Sequence, residues 1–223
     1  MKTPVNARTL KNHFTYSWWK YLLTLIAGIF LVNLIFTVTA PRIPEDKRVD
    51  FYISGLADEN AVNAYMEEIR TREMPDQESM SCVILTGDET YGAMQLATYM
   101  AAQEGDLYLL PRDDFLSYAS GGAFLPLEEN AELMAIFNQA GVDLRRGWRT
   151  LPDSDETHLY GIPADVLPGL NTMCYAENGF LAVLAFSRND ENVLKFLQCL
   201  CRDMITAPEP PQQNHNSTEI PNP

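Results

Sequence analysis

Histidine, cysteine pairs and catalytic signatures are scarce in this chain, and each scarcity removes a class of function. The three histidines stand at positions 13, 158 and 215 and no CxxC occurs, so a zinc site or other metal centre has no support. There is no GxSxG, HExxH, P-loop or GxGxxG, so the hydrolase, metalloprotease, nucleotide and dinucleotide readings lose their usual carriers. No catalytic residue and no cofactor is implied, and a non-enzymatic role is expected. Four cysteines, Cys82, Cys174, Cys199 and Cys201, could form two disulfides in an oxidising compartment. Cys82, however, lies in a strand-like apolar run. Cys199 and Cys201 lie in a helix-like one, where residues two apart face different ways. Small buried hydrophobes are the favoured reading.

Acid is missing altogether from the first 40 residues, which carry Lys2, Arg8, Lys11 and Lys20. The 12 basic residues left after residue 40 stand against all 30 acids, a net charge of −18 on that part. Such a surface repels phosphate backbones, which excludes nucleic acid as a partner and argues against broad docking on anionic lipid.

Charge is also missing from Leu22 to Ala40, LLTLIAGIFLVNLIFTVTA. At about 1.5 Å per residue these 19 residues nearly span a hydrocarbon core of roughly 30 Å. Trp18, Trp19, Lys20 and Tyr21 at the leading edge suit the headgroup layer. The expected partner of this segment is the lipid bilayer, crossed once. A cleaved signal peptide is the rival reading. Its apolar core is usually shorter, at about 7–15 residues, and Val38-Thr39-Ala40 before Pro41 makes a poor cleavage site. The basic tail predicts a cytoplasmic N-terminus and an extracytoplasmic C-terminal part. Arg42, Lys47 and Arg48 after the span leave the basic-residue bias slight.

The expected organisation is a cytoplasmic tail (1–21), a transmembrane helix (22–40), a polar linker (41–48), an α/β domain (49–206) and a disordered tail (207–223). Residues 49–55 read as a strand. Asp58 to Arg70 reads as a helix with Ala61, Val62, Tyr65, Met66 and Ile69 on one face. Met80 to Thr86 is a second strand, ended by Gly87. Glu89 to Gln103 is a helix predicted to bury Ala93, Leu96, Ala97 and Met100. Asp106 to Leu110 is a third strand. This β-α-β-α-β order predicts right-handed crossovers and a parallel sheet. Helices over Asp113–Ser120 and Asn130–Ala140 follow, then an irregular stretch over 141–178 with a short strand near Tyr160–Pro163. Phe180 to Phe186, apolar throughout, reads as a central parallel strand. Asn189 or Asp190 opens a last helix burying Val193, Leu194, Leu197, Leu200 and Met204. The predicted fold is a three-layer α/β domain with a mostly parallel sheet of four or five strands, behind one transmembrane helix.

Short motifs carry a family resemblance. Gly105-Asp106-Leu107-Tyr108-Leu109-Leu110 is followed by Phe115-Leu116, then by Gly121-Gly122-Ala123-Phe124-Leu125-Pro126-Leu127-Glu128. Further on come Tyr160-Gly161-Ile162-Pro163 and the Phe180–Met204 strand and helix. Together these resemble extracellular solute-binding proteins of ABC importers, of the type II periplasmic-binding-protein-like fold. The resemblance implies a small solute as ligand and a transporter permease or other membrane protein as partner. The chain departs from that pattern in having room for about one lobe. The second lobe would enter between Pro163 and Gly179, where few residues remain, so trapping by closure is not expected.

In open parallel sheets ligands bind beyond the carboxyl ends of the strands. That rule selects Ser54, Gly55, Asp88, Arg112 and Asp113 as candidate ligand-binding residues. Two functions follow. One is a membrane-anchored binding or transport-accessory protein built from one solute-binding lobe. The other is a cell-surface structural or signalling module that binds protein and no small ligand.

Overall fold

A computed structural model describes residues 7–39, 43–85, 89–152 and 156–206. Thr86, Gly87 and Asp88, Ala40 at the end of the expected span, and the tail from residue 207 lie outside the described residues. The chain divides into two units, Met1–Arg42 and Ile43–Pro223.

The described residues of the first unit form one helix, α1 (Ala7–Thr39). Its Trp18–Thr39 stretch, 22 residues with none buried, is long and apolar enough to cross a membrane. Thr24, Thr37 and Thr39 fold their hydroxyls back onto the carbonyls four residues earlier at 2.6–2.8 Å, so these polar side chains satisfy themselves without water.

The second unit is a five-stranded sheet with helices on both faces. Its elements are β1 (Arg48–Ser54), α2 (Glu59–Glu73), β2 (Ser79–Leu85), α3 (Glu89–Ala102), β3 (Leu107–Leu110), α4 (Arg112–Ser120), α5 (Ala131–Ala140), β4 (Trp148–Thr150), β5 (Thr157–Leu159), β6 (Ile162–Pro163), β7 (Phe180–Val183) and α6 (Asp190–Met204). The strand order is β2-β1-β3-β7-β6, and β4 and β5 form a separate two-stranded ribbon. The pleat of β1 sorts its side chains. Val49, Phe51 and Ile53 join Leu107, Leu109, Leu181 and Val183 under α2, α5 and α6. Tyr52 joins Tyr108, Leu110, Phe180 and Ala182 under α3 and α4. The result is the expected three-layer α/β fold.

Asp58 caps α2, its carboxylate accepting from the amides of Asn60 and Ala61, and Asn130 caps α5 by accepting from Leu133 N at 2.9 Å. Gly141 ends α5 at φ +66°, the left-handed position where a side chain would be strained. Asn189 precedes α6 without a side-chain capping bond, and its Nδ2 donates to Arg48 O instead, at 2.7 Å. The four cysteines are free and buried.

Three expectations need correction. β7 is central but antiparallel to β3, with Leu110 opposite Phe180, and it stops at Val183, leaving Phe186 exposed. A parallel entry needs a crossover past the sheet. Here the 3-10 turns Ala164–Val166 and Pro168–Thr172 return the chain to the end at which β6 finished, so Pro163 pairs with Phe180. Four of the five strands still run one way. Second, α3 buries Leu96 and only partly Met100, while Ala93 and Ala97 face solvent. Third, the stretch expected to be irregular contains the β4–β5 ribbon.

Candidate functional site

The order of the strands opens a crevice. From β1 the chain moves to β2 on one side. It then returns past β1 to β3 on the other. Right-handed crossovers in opposite directions place their helices on opposite faces. Accordingly α2 leaves the carboxyl end of β1 for one face, packing Val62 and Met66, and the crossover helix α3 packs Leu96 on the other, the face that α4 also takes when it leaves the carboxyl end of β3, packing Phe115 and Ala119. Between β1 and β3 the two loops diverge, which is the place where open α/β sheets bind ligands.

Ser54 and Gly55 stand on one side of this divergence, half-buried; Arg112 and Asp113 stand on the other, exposed. The two pairs lie at the ends of neighbouring strands, because β1 and β3 are hydrogen-bonded partners. Asp88 lies outside the described residues. Past Ser54 the chain is tied down: Leu56 O accepts from Tyr175 N, and Asp58 N donates to Met173 O, both at 2.8 Å. Beside this contact lies a cleft of about 670 Å³, lined by Asp165, Asn171, Tyr175, Glu177 and Asn178 among others. Tyr175 is 63% exposed, a large ring left facing solvent.

On the other side of the rim sits a group of side chains that sequence reasoning did not select. The 3-10 turn Arg145–Gly147 leads into β4, and Arg146 and Arg149 flank Gly147. The Arg146 guanidinium lies 5.6 Å from the centroid of the Phe180 ring, and that of Arg149 lies 5.8 Å from the Phe115 ring. The two rings stack on each other with centroids 4.3 Å apart. Phe115 also stacks on Phe124. Arg112, three residues before Phe115 on α4, shares its helix face. Close backbone approach makes this packing possible. A Cβ on Gly147 would stand 1.7 Å from Gly161 O, and one on Gly161 would stand 2.6 Å from the Phe115 ring. The available signal was local charge: Arg145, Arg146 and Arg149 are three of the 12 basic residues in the acidic part of the chain, packed into five positions.

The pairing of these arginines is uneven. Arg146 meets Asp165 at 2.6 Å, and its other nitrogen donates to Asn178 Oδ1 at 3.3 Å. Arg112 approaches Asp113 at 3.5 Å, both well exposed. Arg149 donates to Trp148 O at 2.6 Å, while its Nε is buried with no partner among the described residues. Burial, then the nearby charges of Arg112 and Arg146, push the Arg149 pKa below the usual arginine value.

A second polar group braces the opposite, amino-terminal end of the sheet. Asp106 accepts from Asp50 N at 2.9 Å and from the Ser187 hydroxyl at 2.8 Å, and Asp50 accepts from Ser81 and pairs with Arg48 at 2.8 Å. These bonds tie Asp50 and Asp106 to Ser81, Arg48 and Ser187, so the group reads as a brace between β1, β2, β3 and the turn after β7.

No family model and no curated protein matches the chain. Among solved structures it is similar to an extracellular solute-binding protein family 1 from Alicyclobacillus acidocaldarius subsp. acidocaldarius DSM 446, at 20% identity and a TM-score of 0.37. That match covers 52% of this chain and 27% of the other, so this chain spans about a quarter of that protein.

Proposed function

We propose that this chain is a membrane-anchored, non-enzymatic binding or transport-accessory protein whose α/β unit works outside the cytoplasm as one binding lobe. The observation that supports it is the divergence of α2 and α4 at the carboxyl ends of β1 and β3, beside an open cleft with an exposed tyrosine. That arrangement offers a concave, polar rim and one wall of a ligand site. The apolar Trp18–Thr39 stretch supplies the means of membrane attachment. A small solute and a permease or other membrane protein are the partners this reading calls for. Protease added to intact cells should remove the α/β unit and leave the N-terminus protected. Protection of the unit would overturn the orientation, and a mature N-terminus near residue 41 would show a cleaved leader instead.

A second reading has its own support. The outward face of α3 carries Met94, 61% exposed, with Ala93, Ala97 and Ala101 also facing solvent. An apolar helix face on an acidic protein fits a surface module that binds another protein without a solute. Met94→Lys should then abolish partner recruitment while solute titrations stay flat.

A further inference from the structure

We infer that the rim binds a small solute through an oxyanion group, carboxylate or phosphate, held by Arg112, Arg146 and Arg149 over the Phe115–Phe180 stack. The inference rests on the binding reading above and names the ligand chemistry of that same rim.

The argument begins with placement. Phe180 is in register with Leu110 and Pro163, the last residues of β3 and β6, so its ring marks the carboxyl edge of the sheet. Phe115 stacks on that ring and carries Arg149. Arg146 lies over Phe180 itself, and Arg112 shares the α4 face with Phe115. One aromatic platform therefore gathers the guanidinium groups of Arg146 and Arg149, with Arg112 one helical turn before Phe115 on α4. Like charges so gathered repel, and the arrangement gains when an anion sits between them. Guanidinium forks match the two oxygens of a carboxylate or phosphate.

Among the described residues the answering acids are incomplete. Asp165 serves Arg146 and Asp113 weakly serves Arg112, but among the described residues no carboxylate pairs with Arg149. Its partnerless Nε is a buried donor, which is costly to leave unsatisfied. The first turn of α4 adds backbone N–H groups at the same place, because Pro111 caps it with no side-chain acceptor. Asp113 and Asp114 on that turn oppose the anion and limit its affinity. Arg146 also touches Asp165 and Asn178, which line the cleft of about 670 Å³, so the body of the solute has room beside its charged group.

The test uses the full chain in a non-ionic detergent at constant ionic strength. Inorganic phosphate, citrate and maltotriose are each titrated by calorimetry and by thermal melts. Phosphate or citrate should bind and raise the melting temperature, with the stronger of the two identifying phosphate or carboxylate as the better fit. Arg149→Gln should weaken that binding at least tenfold. Arg112→Gln, at an exposed position, should do the same and keeps the test open if the first variant fails to fold. Arg145→Gln should leave binding unchanged, because Arg145 is held by Asp143 outside the cluster. Equal affinity in wild type, Arg149→Gln and Arg112→Gln, or equal weakening by Arg145→Gln, would overturn the inference. Binding of maltotriose alone would sink the oxyanion and leave the binding reading standing. Silence toward all three would sink the oxyanion and remove support for the binding reading as well.

Discussion

Replacing Gly147 with alanine should destabilise the α/β unit far more than its chemistry suggests. At a position with ordinary backbone angles, glycine to alanine usually stabilises by about 0.4–1 kcal/mol, because the unfolded chain loses freedom. Here the new Cβ would stand 1.7 Å from the Gly161 carbonyl oxygen and 2.9 Å from its carbon. Backbone cannot rotate away as a side chain can, so the two segments must part by more than an ångström. Parting them strains the Tyr160 N to Gly147 O hydrogen bond of 3.1 Å. It also lifts Gly161 against the Phe115 ring. Overpacking costs about 1–3 kcal/mol and the lost bond about 1 kcal/mol, offset by the chain-entropy gain of about 0.4–1 kcal/mol, so a net loss of about 2 kcal/mol is expected. For a unit of this size that lowers the melting temperature by about 4–8 °C. The control is Gly92→Ala in α3, where a Cβ would meet nothing within 4 Å, and a gain of up to about 1 kcal/mol is expected. Thermal melts of both variants by circular dichroism decide the matter. A Gly147→Ala melting temperature within 2 °C of wild type, on the order of 1 kcal/mol or less, would refute the close approach that carries Arg146 and Arg149.

Phe196→Ala should cost about 3–5 kcal/mol in denaturant titrations, since the ring is fully buried in α6 with its edge toward Phe51. The four cysteines should resist iodoacetamide until denaturant is added: burial pushes Cys82 up to about 12 and Cys174 up to about 11, keeping their thiols protonated. A hydrogen bond donated by the His158 ring to the Glu128 carboxylate raises the His158 pKa above its ordinary 6.5, against a desolvation that lowers it. A raised folded pKa gives stability that is fully present below the unfolded value and is lost as pH rises through the folded one. Burial works against ionisation of Glu128, but its own hydrogen bonds, including those with His158 and Leu159 N, win and lower its pKa. Stability from that side is lost as pH falls through the folded carboxyl value. The melting-temperature gap between wild type and His158→Gln should therefore be widest in mildly acidic buffer and close as pH is raised; a gap that widened above neutrality would contradict the pairing.

Much of the sheet was legible because its strands are buried on both faces. Leu107–Leu110 and Phe180–Val183 carry no charged position; Gly105 and Pro111 bracket the first, while Gly179 marks only the start of the second, whose unmarked end reads on through Phe186. The period of α2 was legible for the complementary reason: Val62, Met66 and Ile69 face the core while Glu59, Glu67 and Glu68 stay out. Strand direction was not legible. An apolar run looks the same whether the chain enters from one end or the other, and only the non-helical return over 164–179 decided it. The burial of α3 was misjudged because alanine and methionine populate both faces of that helix, leaving no moment to read. The β4–β5 ribbon escaped notice because Trp148-Arg149-Thr150 and Thr157-His158-Leu159 are short and largely polar. In the candidate site, the strand-end rule reached Ser54, Gly55, Arg112 and Asp113, which lie at and just beyond the carboxyl ends of the adjacent strands β1 and β3. It could not reach Arg146 and Arg149, which arrive at the rim from a loop far along the chain.

The open geometry of the rim bears directly on what such a protein can do alone. A drug-sized ligand held well is usually buried over some 70–90% of its surface. A single wall reaches far less of it, and binding at millimolar dissociation constants, about −4 kcal/mol, is what one wall usually provides. Charge changes the balance unevenly. An oxyanion would meet the terminal nitrogens of Arg149 rather than its buried Nε, with Asp113 and Asp114 close by and the flank open to water. Covering the rim with a second surface would expel that water, strengthen the guanidinium contacts and slow dissociation together. Solute binding and partner binding would then be coupled, each raising the affinity of the other by the same factor. Under the proposed membrane attachment this coupling would be favoured, because tethering would hold both surfaces in the same plane and at high effective concentration.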